Sequence, residues 1–239
     1  MGQYSFTKAY ETTLQEKKGS ARHIDVLLNS PDKLRELDSK EDINFHIKEV
    51  LSPLKGEDYK ECGNSKVLEK LGLSEHKEEL INFWPQQGHH WDGVAIAKDG
   101  TALLIEAKAH ISEMDSSPMD RSTPVSTRLR LASLKETAEY FGARFNADNW
   151  TGAKYQTANR LAFAYFLTEK LNKPARVVYI MFTGDKEMTD GKVETGKEWD
   201  NKFQEAFRIL GLPTDDSENG RKARGMLRRM MVPVKWLYK

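Results

Sequence analysis

The most constraining feature of the chain is the stretch HHWDGVAIAKDGTALLIEAKAH, residues 89 to 110, in which two apolar segments flank a KDG turn. This pattern predicts a β-hairpin with strands at about 90 to 97 and 102 to 109. Both strands are apolar enough to lie inside a sheet, yet the first carries an aspartate and the second a glutamate and a lysine. The fold must place these charges where something compensates for them.

The length of the turn decides which of these charges meet. Side chains alternate along a strand, so Glu106 and Lys108 are expected on one face. A two-residue turn at positions 99–100 would place Asp92 opposite Ala107, on the other face from the glutamate. A three-residue loop at positions 98–100, with a left-handed glycine, would place Asp92 directly opposite Glu106. We favour the three-residue loop, although a bulge elsewhere would correct the register equally well.

Two carboxylates that face each other across neighbouring strands repel, so they need a compensating charge. A divalent cation between Asp92 and Glu106 would supply it, and hard cations such as Mg²⁺ prefer oxygen ligands of this kind. Lys108 lies one step along the same face, where it could stabilise developing negative charge or orient a water molecule. The hairpin therefore predicts a metal-assisted reaction at these three residues.

The order of these residues resembles a known signature. Asp92, thirteen intervening residues and then Glu106-Ala107-Lys108 are similar to the D...(D/E)-x-K pattern of the PD-(D/E)xK nuclease superfamily, which has the restriction-endonuclease-like fold. The similarity covers about residues 64 to 185, and tryptophan replaces the proline that normally precedes the aspartate. The resemblance implies a central mixed β-sheet flanked by helices. It also implies a hairpin that binds one or two Mg²⁺ or Mn²⁺ ions and hydrolyses phosphodiester bonds.

The resemblance further implies a role for each residue of the signature. Asp92 and Glu106 would bind the metal, the Ala107 carbonyl would be a further ligand, and Lys108 would help to position the attacking water. Exonuclease-like members often place a glutamine and a tyrosine on the helix after the hairpin. Gln156, in YQTANRLAFAYFL, resembles that glutamine loosely and would contact phosphate or hold the metal ligands.

Two further parts of the implied site are left open by the sequence. Many superfamily members carry an upstream helical glutamate, and this chain offers Glu69, Glu78 and Glu79, of which Glu69 has the most plausible spacing. On the helix after the hairpin, Asn159 and Arg160 share a face with the glutamine. Helix capping and surface contacts are as consistent with that face as a role in the site.

Strand and helix patterns together predict an α/β or α+β fold with a helical N-terminal extension. Residues 1–60 would form this extension, and residues 61–239 would form the nuclease-like core, both within one compact unit. A helical period is predicted in EDINFHIKEVLSPL, where four apolar residues share a face: Ile43, Ile47, Val50 and Leu51. The C-terminal run RKARGMLRRMMVPVKWLYK has seven basic residues and no acid, which suits either a phosphate-binding surface or a solvated charge cluster.

Composition limits the partners, covalent bonds and location that are expected for the chain. The net charge of +1 gives no global field for a nucleic acid or a membrane, so any basic surface is local. Cys62 is the only cysteine, which excludes an intramolecular disulfide and a cysteine-based zinc site and suits a reducing compartment. No apolar run approaches the roughly 18 residues that span a bilayer, and no signal-like apolar region is present. A cytoplasmic location without a membrane partner is expected.

Three functions compete for the same residues. The first is a Mg²⁺- or Mn²⁺-dependent nuclease that acts on DNA rather than RNA, with no recognisable sequence-reading domain, so that a partner protein or a second copy could supply specificity. The second is an Fe²⁺ oxygenase in which His90, Asp92 and His110 form a two-histidine, one-carboxylate triad. Lys108 disfavours it, because an ammonium beside a cationic centre is unfavourable without a charged substrate. The third is a non-catalytic nuclease fold that only binds.

Overall fold

The computed structural model describes residues 17–38, 46–54, 57, 59–85, 88–187 and 191–239. A five-stranded sheet in the order β1-β4-β5-β6-β7 forms its centre, and β2 and β3 form a small separate sheet. The first three strands of the large sheet pair antiparallel, whereas β6 and β7 continue it in parallel. The strands are β1 Ile47–Ser52, β2 Cys62–Gly63, β3 His90–Trp91, β4 Gly93–Ala97, β5 Ala102–Lys108, β6 Ala175–Thr183 and β7 Leu227–Pro233.

Helices alternate with these strands along the chain. They are α1 Gly19–Leu28, α2 Pro31–Asp38, α3 Asn64–Lys70, α4 Lys77–Phe83, α5 Pro124–Tyr140, α6 Ala147–Thr151, α7 Tyr155–Tyr165, α8 Gly196–Leu210, α9 Glu218–Met226 and α10 Val234–Leu237. Short 3₁₀ turns cover Ser74–His76 and Ile111–Met114, and a π-helical turn, Phe166–Lys170, extends α7. None of the helices in the described ranges is both long and apolar enough to cross a membrane.

Each face of the large sheet has its own hydrophobic core. On one face, Leu104 of β5 and Tyr179 of β6 pack with residues of α3 to α9, including Leu161 and Phe203. On the other face, Leu103 and its neighbours pack with α1, α2 and α10 in a second core that includes Ile24, Leu27, Ile105, Val178 and Leu237. The chain is therefore a mixed α/β protein whose mixed sheet is flanked by helices, as the sequence predicts.

The helix predicted over residues 41–54 is wrong where the structure describes it. Ile47–Ser52 is β1, an edge strand that pairs antiparallel with β4, with two register shifts. A short segment with scattered apolar residues fits both a helical and an extended period, and here pairing with a buried strand decides. Ile43 lies outside the described residues. Because β1 joins the large sheet, part of the first 60 residues belongs to the core. Among the described residues up to 60, only α1 and α2 are α-helices.

Candidate functional site

The side chains of β5 alternate between the two cores, and every residue of the strand is buried. Leu104 belongs to the core on one face, and Ile105 belongs to the core on the other. Glu106 and Lys108 share the face of Leu104, because residues two apart point the same way. β5 thus presents one acidic and one basic side chain, those of Glu106 and Lys108, to the helices that cover this face.

The loop between β4 and β5 has the expected three residues, 98–100. The N–H of Ala97 donates to the Thr101 carbonyl at 2.9 Å, and the N–H of Gly100 donates to the Ala97 carbonyl at 2.9 Å. Gly100 has a φ of 83°, the left-handed conformation that this loop requires. The ladder pairs Gly93 with Ile105 at its far end, so the predicted register is confirmed and Asp92 and Glu106 are the next opposed positions.

Asp92 lies where the chain passes from the small sheet to the large one. Trp91, just before it, pairs with Cys62, and Gly93, just after it, begins β4. Asp92 itself belongs to neither ladder and keeps part of its surface exposed. Its Oδ2 accepts a hydrogen bond of 2.7 Å from the backbone N–H of Ala107. This bond holds the carboxyl group against the second half of β5.

Glu106 is almost completely buried, with 2% of its surface exposed, and each of its carboxylate oxygens has a cationic partner. Oε1 accepts from Lys108 Nζ at 2.7 Å, and Oε2 accepts from Arg160 Nε at 2.7 Å. Both partners are themselves buried. The site is therefore a closed charge network in which one carboxylate is held by two cations.

The two carboxyl groups have pKa shifts in opposite directions. Burial, followed by the negative charge of Glu106, raises the pKa of Asp92 to about 7. Burial alone would also raise the pKa of Glu106, but the charges of Arg160 and Lys108 outweigh it and hold this pKa below its usual range. Glu106 is therefore ionised at neutral pH, whereas Asp92 keeps its proton to a higher pH than an ordinary aspartate.

One end of α7 completes the network. Gln156 Oε1 accepts a hydrogen bond from Lys108 Nζ at 2.9 Å. Arg160, one turn further along, donates from Nη2 to the His90 carbonyl at 2.8 Å, and its guanidinium carbon lies 4.7 Å from the ring centroid of Trp91. The helix thus connects β5, through Gln156 and Arg160, with β3, through Arg160.

Two residues of the network, Arg160 and Tyr179, are not assigned to the site by the sequence pattern. Arg160 has a local signal, because it stands one helical turn after Gln156 on the same face. Tyr179 has none, because it reaches Glu106 only through the parallel pairing of β6 with β5. Its hydroxyl shares a hydrogen bond of 3.0 Å with Thr157 Oγ1, and burial and the charge of Glu106 raise its pKa.

The three upstream glutamates are all exposed. Glu69 is held at the surface by Lys66 and Lys77, at 2.8 and 2.6 Å, and Glu79 accepts from His76 at 2.8 Å. Glu78 is exposed. Among the described residues, the hydrogen bonds and ion pairs of Glu69 and Glu79 are with these surface partners and not with the candidate site.

Another acidic residue, Glu61, affects the pKa of Asp92. Glu61, which precedes β2, adds to the negative charge that raises the pKa of Asp92, after burial and Glu106. Its Oε2 lies 3.9 Å from Nδ1 of His90. No helical or strand pattern in the sequence singles Glu61 out, since β2 has only two residues.

The histidines of the oxygenase hypothesis have different partners. His90 has a side chain that is 69% exposed and that lies near Glu61. His110 is buried, and its two ring nitrogens lie 3.9 Å from carboxylate oxygens of Asp185 and Glu194. The structure does not bring these two imidazoles together around Asp92. Within the described ranges, no group of three or more His, Cys, Asp or Glu side chains is arranged to hold a metal ion.

The hairpin contains oxygen atoms of the kind that a hard divalent cation prefers. Both carboxylate oxygens of Glu106 already accept from cations, whereas Asp92 accepts from the backbone N–H of Ala107. A pKa of about 7 for Asp92 indicates that its carboxylate lacks a positive neighbour strong enough to offset burial and Glu106. A cation beside it would supply that charge, and oxygen donors are the ligands that Mg²⁺ and Mn²⁺ prefer.

Comparison of the chain with protein-family models, curated proteins and solved structures finds no match.

Proposed function

We propose that the chain is a metal-dependent nuclease of the restriction-endonuclease-like class that hydrolyses phosphodiester bonds of DNA. One observation carries the proposal. The three-residue loop sets Asp92 opposite Glu106, with Lys108 on the same face, and leaves Asp92 with a pKa of about 7. The mixed sheet with this hairpin at its centre is what the resemblance to the superfamily implies.

In this proposal Asp92, Glu106 and the Ala107 carbonyl hold Mg²⁺ or Mn²⁺. The bound ion would polarise the scissile phosphate and lower the pKa of a coordinated water. Glu106 is already ionised, so it is ready to act as a ligand. Asp92 must lose its proton first, so the affinity for the ion should rise with pH through about 7.

Lys108 is suited to hold the attacking water or a phosphate oxygen. An ammonium group has three N–H donors. Two of them are used by Glu106 Oε1 and Gln156 Oε1, at 2.7 and 2.9 Å. The third is left for a ligand, and Gln156 therefore acts as a positioning residue that fixes the direction of this donor. Arg160 has a similar positioning role toward Glu106.

Cleavage assays with single variants test the proposal. The wild-type protein should cleave DNA in Mg²⁺ or Mn²⁺ and not in EDTA, and Asp92→Asn, Glu106→Gln and Lys108→Met should each lower the rate by at least about 100-fold. Lys135→Met and Glu139→Gln are matched controls, because these residues form an exposed pair on α5, each 63% exposed. Both controls should retain wild-type activity.

Equal cleavage by the wild-type protein and by Asp92→Asn would contradict the proposal. So would DNA binding without cleavage in any metal, which favours a binding module. Metal binding measured by calorimetry distinguishes the nuclease from the oxygenase hypothesis. Mg²⁺ or Mn²⁺ binding that is lost in Asp92→Asn supports the nuclease, whereas selective Fe²⁺ binding that is lost in His90→Ala contradicts it.

A further inference from the structure

A basic, exposed stretch of chain lies beside the candidate site. Residues 121–130, RSTPVSTRLR, contain three arginines, four hydroxyl side chains and no acid. Arg121 and Arg128 are exposed, and Arg130 is half-buried. We call these ten residues the arginine segment. It runs from the end of the loop that follows β5 into the first turns of α5.

The guanidinium groups of this segment donate to neutral acceptors. Arg121 Nη2 donates to Thr151 Oγ1 at 2.8 Å, and Arg130 Nη1 donates to the Asp120 backbone carbonyl at 2.7 Å. In the part of the chain that the structure describes, neither these two arginines nor Arg128 has a carboxylate oxygen within 4 Å. The segment therefore forms no ion pair with the described residues.

Other acids and arginines of the protein show that this is not for lack of possible partners. The nearby carboxylate of Asp120 accepts instead from the N–H and the hydroxyl of Ser122, each at 2.8 Å. Elsewhere on the surface, Arg224 and Arg229 lie 3.0 and 2.6 Å from aspartate oxygens. Hydrogen bonds from Ser122, and after them the charge of Arg130, lower the pKa of Asp120. The arginine segment therefore keeps positive charge that no carboxylate of the described residues pairs with directly.

The loop that leads to the arginine segment is fixed against the end of α7 that carries Gln156. Ser116 N–H donates to the Ala153 carbonyl at 2.8 Å, and its hydroxyl accepts from the N–H of Gln156 at 3.0 Å. Met119 N–H donates to the Thr151 carbonyl at 2.8 Å. These bonds hold the segment next to the helix end that positions Lys108.

Arg130 is also electrostatically connected to the site. Burial raises the pKa of Tyr155, and the charge of Arg130 and a hydrogen bond from it oppose that rise. Burial, then Arg160, then Arg130 bring the pKa of His89 well below its usual value. Arg130 therefore shares neighbours with Arg160, which binds Glu106. This arginine of the segment and the site face a common region.

We propose that Arg121, Arg128 and Arg130 bind the phosphates of the nucleic acid strand next to the bond that is cleaved. This inference rests on the proposed nuclease function and adds the path of the substrate to it. A planar guanidinium with unused N–H groups binds a phosphate through two hydrogen bonds, and neighbouring hydroxyls add weaker ones. Such contacts fix the position of the strand without reading its sequence.

The salt dependence of binding tests the inference. A fluorescein-labelled DNA duplex is titrated with the full chain in EDTA at several salt concentrations. Replacing the three residues together, as R121Q/R128Q/R130Q, should weaken binding by at least about 10-fold and lower the slope of log K against log salt by about 2 to 3. The matched control R35Q/R144Q/R208Q removes three exposed arginines that lie outside the segment, the site and the basic C-terminal run, and it should bind as the wild type does.

Each outcome decides the inference. If the wild type binds and cleaves DNA but the triple variant keeps the wild-type slope, the inference is wrong and the proposed function stands. If the wild type neither binds nor cleaves DNA, both fail. A general loss of structure is separated by R121K/R128K/R130K, which keeps the charges and should retain most of the slope. Equal losses in the lysine and glutamine variants would overturn the phosphate contacts.

Discussion

Asp92 and Glu106 are neighbours with opposite roles in the charge network. Glu106 has Lys108 and Arg160 on its two oxygens, so its negative charge is stabilised although it is deeply buried. Asp92 accepts a hydrogen bond from a backbone N–H, a neutral donor, and its carboxyl group is therefore easier to protonate. The two cations stabilise one acid and leave the other to be neutralised by a proton or a ligand.

Asp92→Asn should stabilise the protein, and under the proposed function it should also abolish cleavage. A carboxyl whose pKa is about 7 in the folded state and 3.8 otherwise destabilises the fold as pH rises from about 4 to 7, because only the folded state holds its proton. The asparagine variant should match the wild type near pH 4 and have a free energy of unfolding a few kcal/mol higher at pH 8. Urea unfolding at both pH values measures this, and a variant that is less stable at pH 8 would contradict it.

At the scale of single elements, the hairpin is set by its loop. Gly100 has a positive φ, and no heavy atom lies within 4 Å of the position that a Cβ would occupy there. A side chain at this position is therefore disfavoured by backbone conformation and not by crowding. The whole pairing of β4 with β5, up to the pair of Gly93 with Ile105, depends on that conformation. The loop is exposed, yet it determines which side chains face Glu106.

Replacing glycine by alanine at two uncrowded positions isolates this conformational effect. Gly100→Ala should lower the free energy of unfolding by about 1 kcal/mol. Gly225→Ala, in α9 where the backbone has no positive φ and nothing lies within 4 Å, should leave it unchanged or raise it by up to about 1 kcal/mol. Urea midpoints compare the two, and a shift of both variants in the same direction would contradict the assignment.

Elements with a strong local pattern can be predicted from the sequence, and edge elements cannot. The hairpin follows two apolar runs with a clear turn signal between them, and it forms where expected. The sequence pattern predicts a helix where β1 forms and does not distinguish β7 within the basic C-terminal run, because each depends on pairing with a strand far along the chain. In the site, Asp92, Glu106 and Lys108 meet by local register, whereas Tyr179 and Glu61 reach it only through tertiary packing.

At the scale of the whole molecule, a buried polar cluster ties α1 to the C-terminal end. His23 Nδ1 shares a hydrogen bond of 2.8 Å with the Tyr238 hydroxyl, and His23 Nε2 lies 3.1 Å from Asp185 Oδ2. His110 Nε2 lies 3.9 Å from the same oxygen of Asp185. The cluster therefore links α1, the end of β5, the segment after β6 and the residue after α10.

This cluster should make the stability of the protein depend on pH. Burial lowers the pKa of His23 below 6.5, and Asp185 offsets this only in part. The unfolded chain then takes up a proton more readily, so stability is full above about pH 6.5 and falls at lower pH, by at most about 1.4 kcal/mol per pH unit for one group. Between pH 7 and pH 5 the wild type should lose more stability than His23→Asn. His46→Gln, at an exposed position, is the control, and equal losses in all three proteins would contradict the role of His23.

The three-residue loop at positions 98–100 also bears on how the chain tolerates changes in length. Exposed loops usually accept insertions and deletions of any size. Here a change of one residue, without a compensating bulge, would turn every side chain of β4 to the opposite core and carry Asp92 away from Glu106, whereas a change of two would preserve both faces. The number of residues in this loop therefore determines which face each side chain of β4 takes. A change in loop length, remote from the charged groups of the site, could separate Asp92 from Glu106.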